Sequence, residues 1–215
     1  MLKTNTAIEQ VTLRGARIAL EPLGAEHLPG LAAAISDGEL WTIPVTLVPR
    51  PDELAEFLKQ AESRYAAQLE RQFALVDLAS GQVIGSTRFM SINRDHRRVE
   101  IGFTFIAQRW QRSYANTEAK YLMLRHAFEA WGCNRVEFIT DVLNTRSRKA
   151  IVRLGAKEEG IMRNHMIMRD GRIRDSVLYS VIRSEWPLVK ANLEEKLDAR
   201  VASQPCAHGT PGETP

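Results

Sequence analysis

The chain has 215 residues and a net charge of +3, long enough for one domain with a sizeable core and too weakly charged for composition alone to argue for nucleic acid. A hydrophobic fraction of 44% and a charged fraction of 26% fit a globular protein and exclude a disordered or fibrous one. Two cysteines, Cys133 and Cys206, and five scattered histidines offer neither a disulfide framework nor a metal-ligand spacing, so no metal is expected. No apolar run is long enough to span a bilayer and residues 1–10 lack the apolar core of a secretory signal, so the expected compartment is the cytoplasm.

Residues 1–10 are polar and read as a loose arm ahead of a domain over 11–198. A first strand over 17–22 alternates Ile18 and Leu20 with small or polar neighbours, and a short helix follows over 26–36, broken up near its start by Pro29 and Gly30. The stretch 37–44 is punctuated as a loop and carries Trp41. A longer helix begins at Pro51, a favourable first-turn residue, with Leu54, Phe57, Leu58, Ala61, Tyr65 and Leu69 on one stripe. Strands over 73–77 and 83–92 are joined through Ser80-Gly81.

A third strand in this series covers 98–106, with Val99, Ile101, Phe103 and Phe105 on one face and Glu100, Gly102 and Thr104 on the other. A turn through 111–116 leads into a helix carrying Ala119, Met123, Ala127 and Ala130 at helical spacing and closed by Gly132. After a strand over 136–140, Asn144 caps a basic helix that ends at Gly155. Residues 162–168 and 173–182 form a hairpin through Asp170-Gly171, and a last helix covers 185–197. From residue 199 the composition becomes Ala, Ser, Gly and Pro, that of a disordered tail. The order β-α-α-β-β-β-α-β-α-β-β plus a helix predicts an α/β domain with a mixed sheet flanked by helices.

The turn at 111–116 carries the functional signal. A strand–turn–helix unit aims free backbone N–H groups and the positive end of a helix at one point, which suits a diphosphate. Arg94, Arg97 and Arg98 near one strand and Arg146, Arg148, Lys149 and Arg153 on one helix are either solvated faces or partners of a phosphate-rich cofactor.

Several segments in one order extend this signal across the chain. They are Asn116-Thr117-Glu118-Ala119-Lys120, His126-Ala127-Phe128-Glu129, Arg135-Val136-Glu137, and Asp141 through Ser147. Leu154 through Gly160, Asp175 through Ser180, and Glu185-Trp186-Pro187 complete the set. On these residues, which cover about 11–197, the sequence resembles the GNAT superfamily of acetyl-CoA-dependent N-acetyltransferases, and within it the RimJ/RimL-type branch that acetylates protein N-termini. The chain departs from the family at the phosphate turn. There the pattern asks for Gln or Arg, two residues, Gly, one residue, then Gly or Ala; aligned on Glu118-Ala119, the glycine slots fall on Arg112 and Tyr114, and Asn116 takes the small-residue slot. A subset of the branch shares Trp-Gln-Arg followed by Asn-Thr-Glu-Ala-Lys, so Arg112 is expected to supply a direct charge to the phosphates.

The resemblance implies acetyl-CoA as cosubstrate and an amine acceptor. It implies a phosphate cradle of Gln111, Arg112, Ser113, Tyr114, Ala115 and Asn116 with Arg148, and backbone donors around Phe105 and Ile106 for the thioester. Glu100 is the candidate base, with a surface ion pair to Arg97 or Arg98 as its structural alternative. Asn144 is a candidate contact to the pantetheine arm. Ser147 is a candidate acid, because the position where many family members carry a tyrosine is Ile151. Trp41 and Thr42 are placed on one lip of the acceptor site, and Asp175 and Tyr179, with Val177, on the other wall. The acceptor is a protein N-terminus, a small amine or an antibiotic amine, and the last helix is a candidate homodimer contact. Two rival readings are a non-catalytic acyl-CoA-binding or protein-interaction module and an RNA-associated protein. The missing glycines favour the former; the absence of an aromatic-rich basic face argues against the latter.

Overall fold

A computed structural model describes residues 9–202, with side chains through residue 199. The expected arm over 1–10 and tail from 199 lie outside the described residues except at 9–10 and at 199–202, where the last helix continues to Ala202 in place of the expected start of a disordered tail. Eight strands form one sheet: β1 (Leu13–Arg14), β2 (Ile18–Pro22), β3 (Arg71–Asp77), β4 (Val83–Asn93), β5 (Arg98–Ile106), β6 (Arg135–Asp141), β7 (Lys157–Ile167) and β8 (Ile173–Ile182). Their order is β1-β2-β3-β4-β5-β6-β8-β7, and every neighbouring pair is antiparallel except β5 and β6. The parallel pair needs a crossover, which α3 (Ala115–Arg125) supplies after a short 3₁₀ turn at Gln108–Trp110. This sheet and its helices match the mixed architecture read from the sequence.

Two cores lie on opposite faces of the sheet. The larger gathers Val99, Ile101, Val136, Phe138, Val177 and Tyr179 under α3, α4 (Thr145–Leu154) and α5 (Trp186–Ala202), through Leu122, Met123, Leu154 and Leu193. The smaller gathers Leu31 and Ile35 of α1 (Leu28–Ser36), Leu54 and Phe57 of α2 (Leu54–Ala66), and Phe105 of β5. Of the stripe expected on the second helix, Leu54, Phe57, Leu58 and Ala61 are buried. Leu69 falls beyond the end of that helix and is exposed.

The simple alternation expected along 98–106 fails at Phe103. Val99 and Ile101 face the larger core, but Phe103 has φ 50°, and two residues of β5 there oppose one of β4 between the Arg88–Gly102 and Ser86–Phe105 pairs. A bulge reverses the parity of everything after it. Phe105 therefore packs in the smaller core, whereas Ile106 joins the larger one. Phe103, carried across, lies under the Arg88 guanidinium at 4.0 Å, and Arg88 in turn pairs with Glu70 at 2.7 Å.

Candidate functional site

The bulge sits where the sheet comes apart. β5 and β6 are in register only at Arg98–Arg135, Val99–Val136 and Glu100–Glu137, while β6 stays paired with β8 along its whole length and β5 with β4 as far as Ile106. Beyond Glu100 the two parallel strands splay, and the β6-side edge of 101–106 has no strand against it. Backbone groups of a sheet interior without partners need a ligand or water, so the slot left by the splay can accept an extended polar group along the edge that includes Phe105 and Ile106.

At the open end of the slot the chain turns into α3. Gln111 donates its side-chain amide to Ile106 O at 2.8 Å, Ser113 Oγ donates to Trp110 O at 2.6 Å, and Ala115 N–H donates to Ser113 Oγ at 3.2 Å. Among the described residues, the backbone N–H groups of Ser113, Tyr114, Asn116 and Thr117 have no backbone acceptor. The missing glycines have separate explanations. Arg112 takes the left-handed conformation itself, φ 63°, at a cost of about 1–2 kcal/mol for a side chain. Tyr114 is right-handed, φ −69°, and needs no glycine. Its hydroxyl donates to Asp77 Oδ1 at 2.6 Å and its ring lies under the Arg17 guanidinium at 4.1 Å, so the bulk leaves the mouth of the turn. Glu118 fastens the same helix to the β1–β2 turn by accepting from Arg17 N at 2.8 Å.

Glu100 lies at the base of the splay, buried, on the face opposite α3. Its register partner Glu137 takes the guanidinium groups: Arg98 at 3.0 Å and Arg135 at 2.7 Å. The surface pairing of Glu100 with Arg97 or Arg98 does not form. A bulge in β4 with Ser91 at φ 51° turns the Ser91 hydroxyl to donate to Glu100 Oε2 at 3.1 Å. Burial, helped by the Glu137 charge and opposed by Ser91 and Arg174, raises the Glu100 carboxyl to about 7. A carboxyl poised there can accept a proton near neutral pH. Ser91 and Arg174 escaped the sequence reading, since nothing in a single sequence marks a bulge at a serine; Glu137 could have been found from its register with Glu100.

The wall expected from Asp175 and Tyr179 is on the other side of the sheet. Along β8, Val177 and Tyr179 face the large core, and Tyr179 is buried with its hydroxyl between Arg148 Nε at 3.0 Å and Glu158 Oε2 at 2.9 Å. Asp175 accepts from Asn164 N–H at 2.8 Å, bracing a bulge in β7. The Glu100 face of β8 carries Arg174 and Ser176, both buried, with Arg174 Nε donating to Ser176 Oγ at 2.8 Å and His165 Nδ1 3.0 Å from the same hydroxyl. On this side the β7–β8 hairpin meets the α1–α2 connection: Arg169 pairs with Glu53 at 2.8 Å, and Arg172 reaches Asp141 at 2.5 Å and Pro44 O at 3.3 Å. Trp41 is half-buried against the smaller core, and Thr42 donates its hydroxyl to Glu39 O at 2.8 Å.

The second strand–helix turn follows β6. Asn144 is a cap as the sequence indicated, its Oδ1 accepting from Ser147 N–H at 3.0 Å, and Gly155 closes the helix at φ 102°. The half-buried Ser147 hydroxyl bonds to no other side chain among the described residues. Arg148 does not join the first turn; its guanidinium is engaged with Tyr179, Val142 O and Glu158 on the β8–β7 side of β6. No group of metal-binding side chains occurs among the described residues, and no helix among them is long and apolar enough to cross a membrane.

Among known proteins, the family model for an acetyltransferase (GNAT) domain matches residues 17–157. The uncharacterized N-acetyltransferase YoaA of Bacillus subtilis (strain 168) is 28% identical over 102 residues, 47% of this chain and 56% of that protein. The [ribosomal protein uS5]-alanine N-acetyltransferase of Escherichia coli (strain K12) is 27% identical over 132 residues, 61% of this chain and 63% of that protein. The crystal structure of a GCN5-related N-acetyltransferase from Brucella melitensis superposes with a TM-score of 0.79 at 32% identity, covering 89% of this chain and 87% of that one. The chain therefore belongs to the GNAT acetyltransferase family of enzymes.

Proposed function

We propose that the protein transfers an acetyl group from acetyl-CoA to a primary amine, with both substrates bound together and no covalent enzyme intermediate. The observation that carries this is the conjunction, at one splay between parallel strands, of an open helix N-terminus, an unpaired strand edge and a carboxyl held near neutrality. Bound acetyl-CoA would supply the activated thioester. The N–H groups of the 111–117 turn and the Arg112 charge would hold its phosphates, and the edge of 101–106 its extended arm, with oxyanion donors near Phe105 and Ile106. Asn144 and Ser147 would meet the arm from the β6 side, with the Asn144 amide nitrogen, which makes no hydrogen bond among the described residues once its oxygen has capped the helix, as the donor. Glu100 takes a proton from the incoming ammonium, directly or through water.

The acceptor enters along the Glu100 face, between the Trp41–Thr42 segment and the β7–β8 hairpin. A protein N-terminal amine is the favoured acceptor, supported by the RimJ/RimL-type motif order and by the relative that acetylates an alanine of a ribosomal protein. Supplying acetyl-CoA with a panel of N-terminal peptides and of small and antibiotic amines, and scoring free thiol together with acetylated product by mass, tests both levels. Thiol release with an acetylated peptide supports the whole reading. Product from small amines alone reassigns the acceptor. Binding of acetyl-CoA without transfer to any amine favours the non-catalytic module.

A further inference from the structure

Lys120 is buried on α3, one turn beyond the candidate cradle, and no carboxylate neutralises it. Its Nζ lies 2.5 Å from Thr104 Oγ1 on β5 and 3.0 Å from Thr87 Oγ1 on β4, and the two hydroxyls are 2.7 Å apart. An ammonium only donates, so both threonine oxygens accept from Lys120, and one hydroxyl proton lies between them. This leaves two proton settings. In the first, Thr104 donates to Thr87, and the Thr87 proton turns to Met123 Sδ at 3.6 Å. In the second, Thr87 donates to Thr104, and the Thr104 proton is released, with Gly102 O at 3.4 Å as its nearest described acceptor. Thr104 is half-buried and belongs to the stretch of β5 without a strand on its β6 side. An acceptor placed in the splay selects the second setting, and a hydroxyl that already accepts two hydrogen bonds is a strengthened donor.

We propose that Thr104 delivers a proton to the departing thiolate of CoA and that Lys120 is the positioning residue that holds Thr104 and replaces its proton; this rests on the acetyl-transfer reading above. As the amine nitrogen bonds the carbonyl carbon, the carbon–sulfur bond breaks and its electron pair stays on sulfur. Sulfur takes the Thr104 proton, Thr104 takes one from Lys120, and the neutral amine of Lys120 regains a proton from solvent after product release. The incoming ammonium loses two protons by way of Glu100, sulfur gains one, and one proton is released per turnover. Burial alone pulls Lys120 down to about 7, which lets it give up a proton in neutral solution. The groups facing it are uncharged: Thr87 from β4, Thr104 from β5 and Met123 from its own helix. Glu118 is turned to Arg17, and Glu194 of α5 to Tyr121. Ile151 has no proton to give, and Ser147 has no described network behind it.

The test is the thiol pKa of bound CoA, read from thiolate ultraviolet absorbance, in the wild type, Lys120→Met, Thr104→Val and Thr104→Ser. The wild type should hold the bound thiol at least about one unit below its ordinary value of ~8.5. Lys120→Met and Thr104→Val should return it to that value, and Thr104→Ser should keep the depression. In turnover, the first two should lose about tenfold or more in kcat with KM for acetyl-CoA unchanged, and the alkaline limb of the pH–rate profile should vanish in Lys120→Met. An unshifted thiol pKa, or one that responds to Ser147→Ala instead, overturns the relay and leaves acetyl transfer standing. A wild type that binds no CoA removes both readings. Thr104→Val decides the matter if Lys120→Met does not fold.

Discussion

Two strand–helix turns stand side by side in this molecule, one leaving β5 and one leaving β6, and they treat their backbone donors in opposite ways. The turn before α4 closes on itself: Asn144 Oδ1 accepts from Ser147 N–H, Asp141 Oδ1 accepts from Leu143 N–H at 2.9 Å, and Asp141 O accepts from Asn144 N–H at 2.9 Å. The turn before α3 uses its side chains elsewhere. Gln111 and Ser113 reach back to the strand end, Tyr114 reaches to Asp77, and among the described residues the N–H groups of Ser113, Tyr114, Asn116 and Thr117 have no backbone acceptor. Every helix start has unpaired donors; whether the start is a cap or a binding site depends on where the neighbouring side chains spend their hydrogen bonds.

The chemistry between the two turns should break most severely. Glu100→Gln is expected to lower kcat by about 10²–10⁴-fold while leaving acetyl-CoA affinity intact, and to abolish the acid limb near 7, as steady-state profiles would show. The same variant carries a stability signature. Because folding raises this carboxyl, the native state binds the extra proton, and stability is lost as pH rises from the unfolded value through about 7. Chemical denaturation should find Glu100→Gln the more stable protein above pH 7 and close to the wild type at pH 4. Next in size is Arg112→Ala, which should cost roughly tenfold or more in acetyl-CoA affinity, since a charge-assisted contact contributes about 1.5–3 kcal/mol. Arg112→Gly separates charge from conformation: it should bind as poorly as Arg112→Ala yet melt higher, because it relieves the left-handed strain. The smallest effect belongs to the closed turn. Asn144→Ala should lose about 1 kcal/mol of stability by denaturant titration, whereas Asn144→Asp keeps the cap. Any loss of cofactor affinity shared by both therefore reports the amide nitrogen.

Much of this arrangement was legible in the sequence because it rests on local rules. Asn144 and Gly155 punctuated α4, Asp170-Gly171 marked the hairpin, and strand parity put Glu100 opposite Val99 and Ile101. Legibility failed where a single residue leaves its usual backbone region. Phe103, Ser91 and Arg112 all adopt positive φ without being glycine, and each one re-aims the side chains that come after it. The Asp175–Tyr179 face was read correctly as one face but assigned to the wrong side of the sheet, which only the pairing of β8 with β6 decides. Lys120 was legible only as the last residue of the 116–120 motif; its burial was not, since a lysine on an amphipathic helix reads as solvated until the two threonines beneath it are in view.

Calorimetric titration of acetyl-CoA into the wild type, Arg112→Ala and Asn144→Asp tests the open turn most directly. Micromolar binding by the wild type, weakened about tenfold or more by Arg112→Ala and eased by lower salt, is the expected result. Equal affinity in the wild type and Arg112→Ala, or no binding by either, would contradict the open turn as the cradle of the cofactor.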